Sequence, residues 1–308
     1  MRSVGLMRRV IAASALLSVF SFNADAQSPI SAKSLRESLL NADRALSTAV
    51  LSKGMSAAFG EAASPDAIFL YDGAPIVAGR ANILALLDAQ PALSRVRIQS
   101  LPLVAAVSSD GSLGATWGAI SIRPASSQDT TALRFGKYIS TWRRAPSGAW
   151  LLASYVEMGL SDQKIVIPPS LAQSSLPNTN PSSGAGAPFA KADVDFARMA
   201  GASGAPAAFG AFAAPDAMTL PGTGEIVVGP TAINSRMLES PAAKAKWDWH
   251  PVYSEGSAAG DLGFTVGEAT IAVPGASGVT EYKSKYLTIW RRQPDGSIRY
   301  IVDGGNER

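Results

Sequence analysis

The chain has 308 residues with 27 basic and 24 acidic side chains, one histidine and no cysteine. Absence of cysteine excludes disulfides, zinc–thiolate sites and thiol nucleophiles, and a lone histidine excludes a histidine-pair metal site. Residues 1–26 hold three Arg and one Asp, so the remainder carries 24 basic and 23 acidic residues, which gives a nucleic-acid partner no electrostatic basis.

In chain order, Arg2, Arg8 and Arg9 precede an apolar run from Val10 to Phe22, and Ala24-Asp25-Ala26 has the small-x-small pattern of a signal-peptidase site. That run is about 13 residues, short of the roughly 20 that cross a bilayer. Residues 1–26 therefore read as a secretory signal, with no membrane span and a periplasmic or secreted location expected. From Ser34 to Leu51, Leu and Ala recur at helical spacing among Arg and Asp, and a short helix over Ala57-Ala58-Phe59-Gly60 follows. Ile68–Tyr71 and Pro75–Ala78 form a hairpin-like apolar pair around Asp72-Gly73, and Ala81–Leu87 returns to helical spacing. The rest, to residue 160, is strand-rich.

Residues 161–190 are rich in Pro, Ser, Asn and Gly and read as a linker. Beyond it the order repeats, with a helix at Lys191–Met199, a further one at Thr231–Leu238, and strands at Pro251–Ser254, Leu262–Val273, Tyr282–Arg292 and Ile298–Val302. Turn sequences of hairpin length separate the strands, so an antiparallel meander is expected. Helices followed by a meander make an α+β domain with helices on one sheet face.

The chain also matches itself. At an offset of 150, Gly54–Ile83 aligns without gaps to Gly204–Ile233 with 14 of 30 positions identical, where chance gives about two or three. Leu113-Gly114-Ala115-Thr116-Trp117-Gly118 answers Leu262-Gly263-Phe264-Thr265-Val266-Gly267, and Trp142-Arg143-Arg144 answers Trp290-Arg291-Arg292. A period near 150 is a whole domain used twice, covering residues 34–160 and 191–308.

Trp249-x-Pro251, Gly260-Asp261-Leu262-Gly263-Phe264-Thr265-x-Gly267, Tyr286-x-Thr288-x-Trp290-Arg291-Arg292 and Pro294-Asp295-Gly296-Ser297 resemble the nuclear transport factor 2-like superfamily. Within it they are most similar to the SnoaL-like branch of unknown function. The resemblance covers nearly all of the second copy and, more weakly, the first. It implies two tandem cone-shaped domains, each a strongly bent antiparallel sheet wrapped round helices with a pocket inside. It also implies that the copies pack through their sheets as an internal pseudo-dimer. It does not imply one activity, because the fold serves isomerases, dehydratases, hydrolases, cyclases and members without chemistry.

Candidate residues follow from strand alternation. Leu262, Phe264, Val266, Glu268 and Thr270 share one side, apolar apart from the carboxylate. Facing a pocket, Glu268 is an acid with a raised pKa suited to proton transfer; at a strand end it meets water or an arginine instead. In Trp247-Asp248-Trp249-His250-Pro251, the tryptophans fall on one side and Asp248 with His250 on the other. The indoles suit an aromatic pocket wall or ordinary sheet packing, and His250 is a proton donor or a surface residue. Asp303 follows the last expected strand, where the resemblance implies an acidic residue. Tyr286 and Trp290 share a face with Thr288. Arg143-Arg144 and Arg291-Arg292 precede turns and read as solvated charge.

The catalytic candidates are thus Glu268, Asp303, His250 and Tyr286, and the ligand-binding candidates Trp247, Trp249, Phe264 and Trp290. Opposite His250, Trp249, Asp261, Glu268 and Asp303, the first copy has Leu101, Ser100, Ser112, Ala119 and Tyr155, so chemistry, if present, belongs to the second copy. No phosphate-binding glycine loop, nucleotide fingerprint or metal cluster occurs, and no cofactor or metal is expected. The leading expectation is a small, mostly apolar ligand in the second copy. The alternatives are a cofactor-free isomerase, dehydratase or cyclase, and a non-catalytic protein-interaction module.

Overall fold

A computed structural model describes Met1 and residues 31–126, 134–159, 184–222 and 224–308. The expected signal beyond Met1, and the expected linker as far as residue 183, lie outside the described residues. In the N-terminal half the elements are α1 (Ala32–Lys53), α2 (Met55–Ala62), β1 (Ala63–Leu70), β2 (Val77–Ala78), α3 (Arg80–Asp88), β3 (Val96–Val107), β4 (Leu113–Pro124), β5 (Arg134–Arg144) and β6 (Trp150–Met158). The C-terminal half repeats them as α4 (Ala187–Ser203), α5 (Ala205–Phe212), β7 (Ala213–Thr219), β8 (Val227–Val228), α6 (Pro230–Leu238), β9 (Lys246–Gly256), β10 (Leu262–Gly275), β11 (Gly278–Arg292) and β12 (Ile298–Glu307). Helix α4 begins at Ala187, ahead of the Lys191 expected from spacing, and Asp303 lies within β12 rather than after it.

The glycines common to both halves mark backbone turns. Gly54 and Gly204 both have φ 86, closing one helix and opening the next, a conformation L side chains rarely adopt. Along α1, Leu35, Leu39, Asp43 and Leu46 form one buried face, a helical stripe set against the sheet with an acid at its centre.

Each half forms a six-stranded sheet, ordered β2-β1-β6-β5-β4-β3 and β8-β7-β12-β11-β10-β9. The four long strands form the expected antiparallel meander. The sheets are nevertheless mixed, because β1 joins β6 and β7 joins β12 in parallel across the intervening elements. Both sheets break register at a proline: Pro102 faces Gly118 and Pro251 faces Gly267, with an extra residue beside each. A bulge accommodates the missing proline N–H and bends the strand over the helices.

Part of each outer sheet face is also buried. One hydrophobic cluster runs through Trp117, Ile139 and Met158 of the first half and Phe264, Leu287 and Val302 of the second. Arg143 crosses between halves, donating to Glu255 (2.7 Å) and Tyr253 (3.1 Å) while pairing with Asp66 (2.6 Å) in its own half, so it is not merely solvated charge. Ser109 N–H donates to Asp261 (2.8 Å), and the equivalent Ala258 N–H donates to Ser112 (3.3 Å), the residue that answers Asp261. Among the described residues no helix is long and apolar enough to cross a membrane.

Candidate functional site

An open pocket of about 660 Å³ lies in the C-terminal half between the inner face of its sheet and helices α4, α5 and α6. Phe196, Phe209, Ile233, Trp247, Trp249 and Ile271 supply apolar walls; Tyr286, Thr288 and Asp303 add polar groups from β11 and β12, and Arg236 adds one from α6. Phe196 is edge-on to both Phe209 and Trp249, with ring centroids 4.8 Å apart in each pair, which fixes the wall. Asp72 and Gly159 of the N-terminal half also reach the lining.

Two acids stand here, Asp193 buried and Asp303 half-buried. Asp303 accepts a hydrogen bond from the Thr288 hydroxyl (2.6 Å). Burial pushes its carboxyl up to about 7, against the pull of that bond and with a further push from Asp193. Asp193, on the inner face of α4, accepts from Tyr286 Oη and Trp249 Nε1, both at 2.9 Å. Burial lifts its carboxyl to about 6, with Thr265, Tyr286 and Trp249 opposing the shift.

The structure thus brings Asp303, Tyr286, Trp247 and Trp249 to one cavity and leaves the other four candidates elsewhere. Trp290 is fully buried behind the wall, donating to Thr265 (2.8 Å) and standing 6.2 Å from Phe196. Phe264 and Glu268 have the opposite parity from Ala269 and Ile271, which line the cavity. Phe264 therefore joins the cluster shared with the other half, and Glu268 pairs with Arg308 (3.0 Å). His250 is exposed opposite Glu268, on the side of β9 away from Trp247 and Trp249. The pocket side of β10 is its less apolar side for a physical reason. Around Phe264 both sides of β10 are buried, and the more apolar side packs on the other sheet. The inner face of β10 is small and polar, with Thr265, Gly267 and Ala269, because Tyr286 crowds over it: a Cβ at Gly267 would lie 2.1 Å from the Tyr286 hydroxyl oxygen.

The N-terminal half serves as an internal control. Asp43 accepts from Tyr138 Oη (3.0 Å) and from Thr116, and Trp142 donates to Thr116 (2.9 Å). These residues answer Asp193, Tyr286, Thr265 and Trp290, so this network was kept twice. The cavity was not: the corresponding space, lined by Asp43, Phe59, Tyr138 and Tyr155, measures only about 10 Å³. Tyr155 occupies the position of Asp303, and its ring lies 5.1 Å from Phe59 and 5.2 Å from Phe69. Asp193 was not among the sequence candidates, although Ala42-Asp43 and Ala192-Asp193 stand at the same offset of 150 as the main repeat.

No protein-family model and no curated protein matches the chain. Solved structures similar to it include a nuclear transport factor 2-like protein with a cystatin-like fold from Novosphingobium aromaticivorans, at 14% identity and TM-score 0.33, covering 39% of this chain and 79% of that one. A domain of unknown function with a cystatin-like fold from Nostoc punctiforme has 11% identity and TM-score 0.33, covering 39% and 75%. A ketosteroid isomerase-like protein from Erwinia carotovora atroseptica has 15% identity and TM-score 0.33, covering 38% and 91%. At such identities the likeness is one of fold alone.

Proposed function

We propose that the C-terminal half binds a small, mostly apolar molecule in its cavity and that the N-terminal half is a filled structural partner. The observation that carries this is the contrast in interior space, about 660 Å³ against about 10 Å³, between halves of the same fold. Aromatic and aliphatic walls with a few convergent polar groups suit such a ligand. The test uses the neutral fluorescent probe N-phenyl-1-naphthylamine with the wild type and Asp303→Tyr, which installs the residue the N-terminal half carries there. Saturable binding to the wild type and none to the folded variant is expected; equal binding to both sinks the reading.

A second reading, cofactor-free acid–base catalysis, is favoured by Asp303. A carboxyl raised to about 7 beside a cavity-lining tyrosine is poised to exchange a proton near neutral pH. Deuterium incorporation next to the carbonyl of cyclic ketones in heavy water, lost in Asp303→Asn, is the expected sign. No incorporation across a ketone panel removes it.

We further infer an exported protein with domains near residues 34–160 and 191–308 that form an internal pseudo-dimer. The signal-like first 26 residues support export, and the reciprocal Ser109–Asp261 and Ala258–Ser112 bonds support a self-complementary contact. Solution scattering that requires independently tumbling halves would contradict it.

A further inference from the structure

We propose that the molecule held in the cavity is an apolar carboxylic acid whose carboxylate pairs with Arg236 at the mouth, a statement that rests on the ligand-binding reading above. Arg236 lies on α6, lines the cavity, is exposed, and makes no hydrogen bond or ion pair among the described residues. The other described arginines of the C-terminal half are engaged. Arg198 pairs with Asp195, Arg291 with Asp216 and Arg308 with Glu268, while Arg292 and Arg299 donate to backbone carbonyls. Carried three residues past the gapless block, along the equally long helices α3 and α6, the offset of 150 aligns Arg236 with Leu86, which is 0% exposed in the core of the N-terminal half.

The halves therefore differ at both ends of the same space. Where the first has Leu86 and Tyr155 filling its interior, the second has Arg236 at the mouth and Asp303 within. Phe209, Trp247 and Ile271 give the same cavity apolar walls. Asp72 and Lys285, also on the lining, are already engaged. Asp72 accepts the Glu307 N–H (3.1 Å) and Lys285 donates to the Glu307 carbonyl, on the side facing the N-terminal half. Glu307 forms no ion pair with Arg236. An unpaired guanidinium presents a planar fork that matches a carboxylate in two parallel hydrogen bonds, and an apolar tail then takes the interior.

The test compares matched acid and alcohol ligands, decanoate with 1-decanol and 2-naphthoate with 2-naphthol, by displacement of N-phenyl-1-naphthylamine at low salt and neutral pH. The wild type is expected to bind each acid about fivefold more tightly than its alcohol, the scale of a partly exposed ion pair. Arg236→Gln is expected to lose that preference while binding the alcohols unchanged, and Arg236→Lys to keep part of it. Added salt narrows the preference. Alcohols that bind as well as acids, or a preference that survives in Arg236→Gln, overturn this inference and leave the cavity reading standing. If neither acids nor alcohols bind, both fail.

Discussion

Replacing Asp303 with asparagine removes a charge from the cavity while leaving an acceptor for the Thr288 hydroxyl, and the consequence depends on pH. In the unfolded chain the carboxyl loses its proton near 3.8, whereas burial holds it in the folded protein to about 7. The folded state binds the extra proton between those values, so the wild type loses stability as pH rises from about 4 to 7 and stays at the lower level above. At 1.36 kcal/mol per pH unit the loss reaches about 4 kcal/mol by pH 8. Asp303→Asn should therefore match the wild type near pH 4 and exceed it by about 3–4 kcal/mol at pH 8. Asp43 and Glu157, also raised by burial to about 6 and about 8, titrate in both proteins and drop out of the difference. Urea unfolding followed by tryptophan fluorescence at pH 4.5, 6 and 8 measures it. A difference that stays constant with pH refutes the burial argument.

Asp193→Ala strands the Tyr286 hydroxyl and Trp249 indole donors, and Asp43→Ala strands those of Tyr138 and Thr116; each should cost about 2–5 kcal/mol in urea unfolding. Similar costs in the two halves are expected of a structural network, and a negligible cost at Asp43 would contradict that role. Gly267→Ala puts a methyl group 2.1 Å from the Tyr286 hydroxyl oxygen, so the Tyr286–Asp193 bond should be lost, with about 1–3 kcal/mol of stability. An unchanged melting curve and an unmoved Tyr286 ring in a crystal structure would show that the site has room. Arg143→Ala removes the links to Glu255 and Tyr253 across the halves and should cost about 1–3 kcal/mol. Loss of less than a few tenths would mean that the outer-face hydrophobic cluster alone joins them.

The architecture was legible because backbone requirements repeat. Gly54, Pro102 and Gly118 stand where a positive φ or a bulge is needed, and their partners Gly204, Pro251 and Gly267 stand there again. The parallel addition of β1 to β6 was not legible, since hairpin-length turns speak only for neighbours in sequence. In the site, alternation placed Trp247 and Trp249 together because one side of β9 is exposed at Asp248 and His250. At β10 it left the pocket side open, and there Phe264 packs on the other half while Glu268 meets Arg308, the arginine alternative. Asp193 escaped notice because its neighbours changed, Leu39 to Phe189 and Leu46 to Phe196, while helix packing kept the acid in place. Arg236 carries no motif; only its alignment with the core residue Leu86 marks it.

The most direct measurement is a crystal structure of the wild type under xenon pressure. The account predicts xenon among Phe196, Phe209 and Trp249 and none between Tyr155 and Phe59. Xenon in both halves, or a C-terminal interior closed by its own side chains, would contradict it.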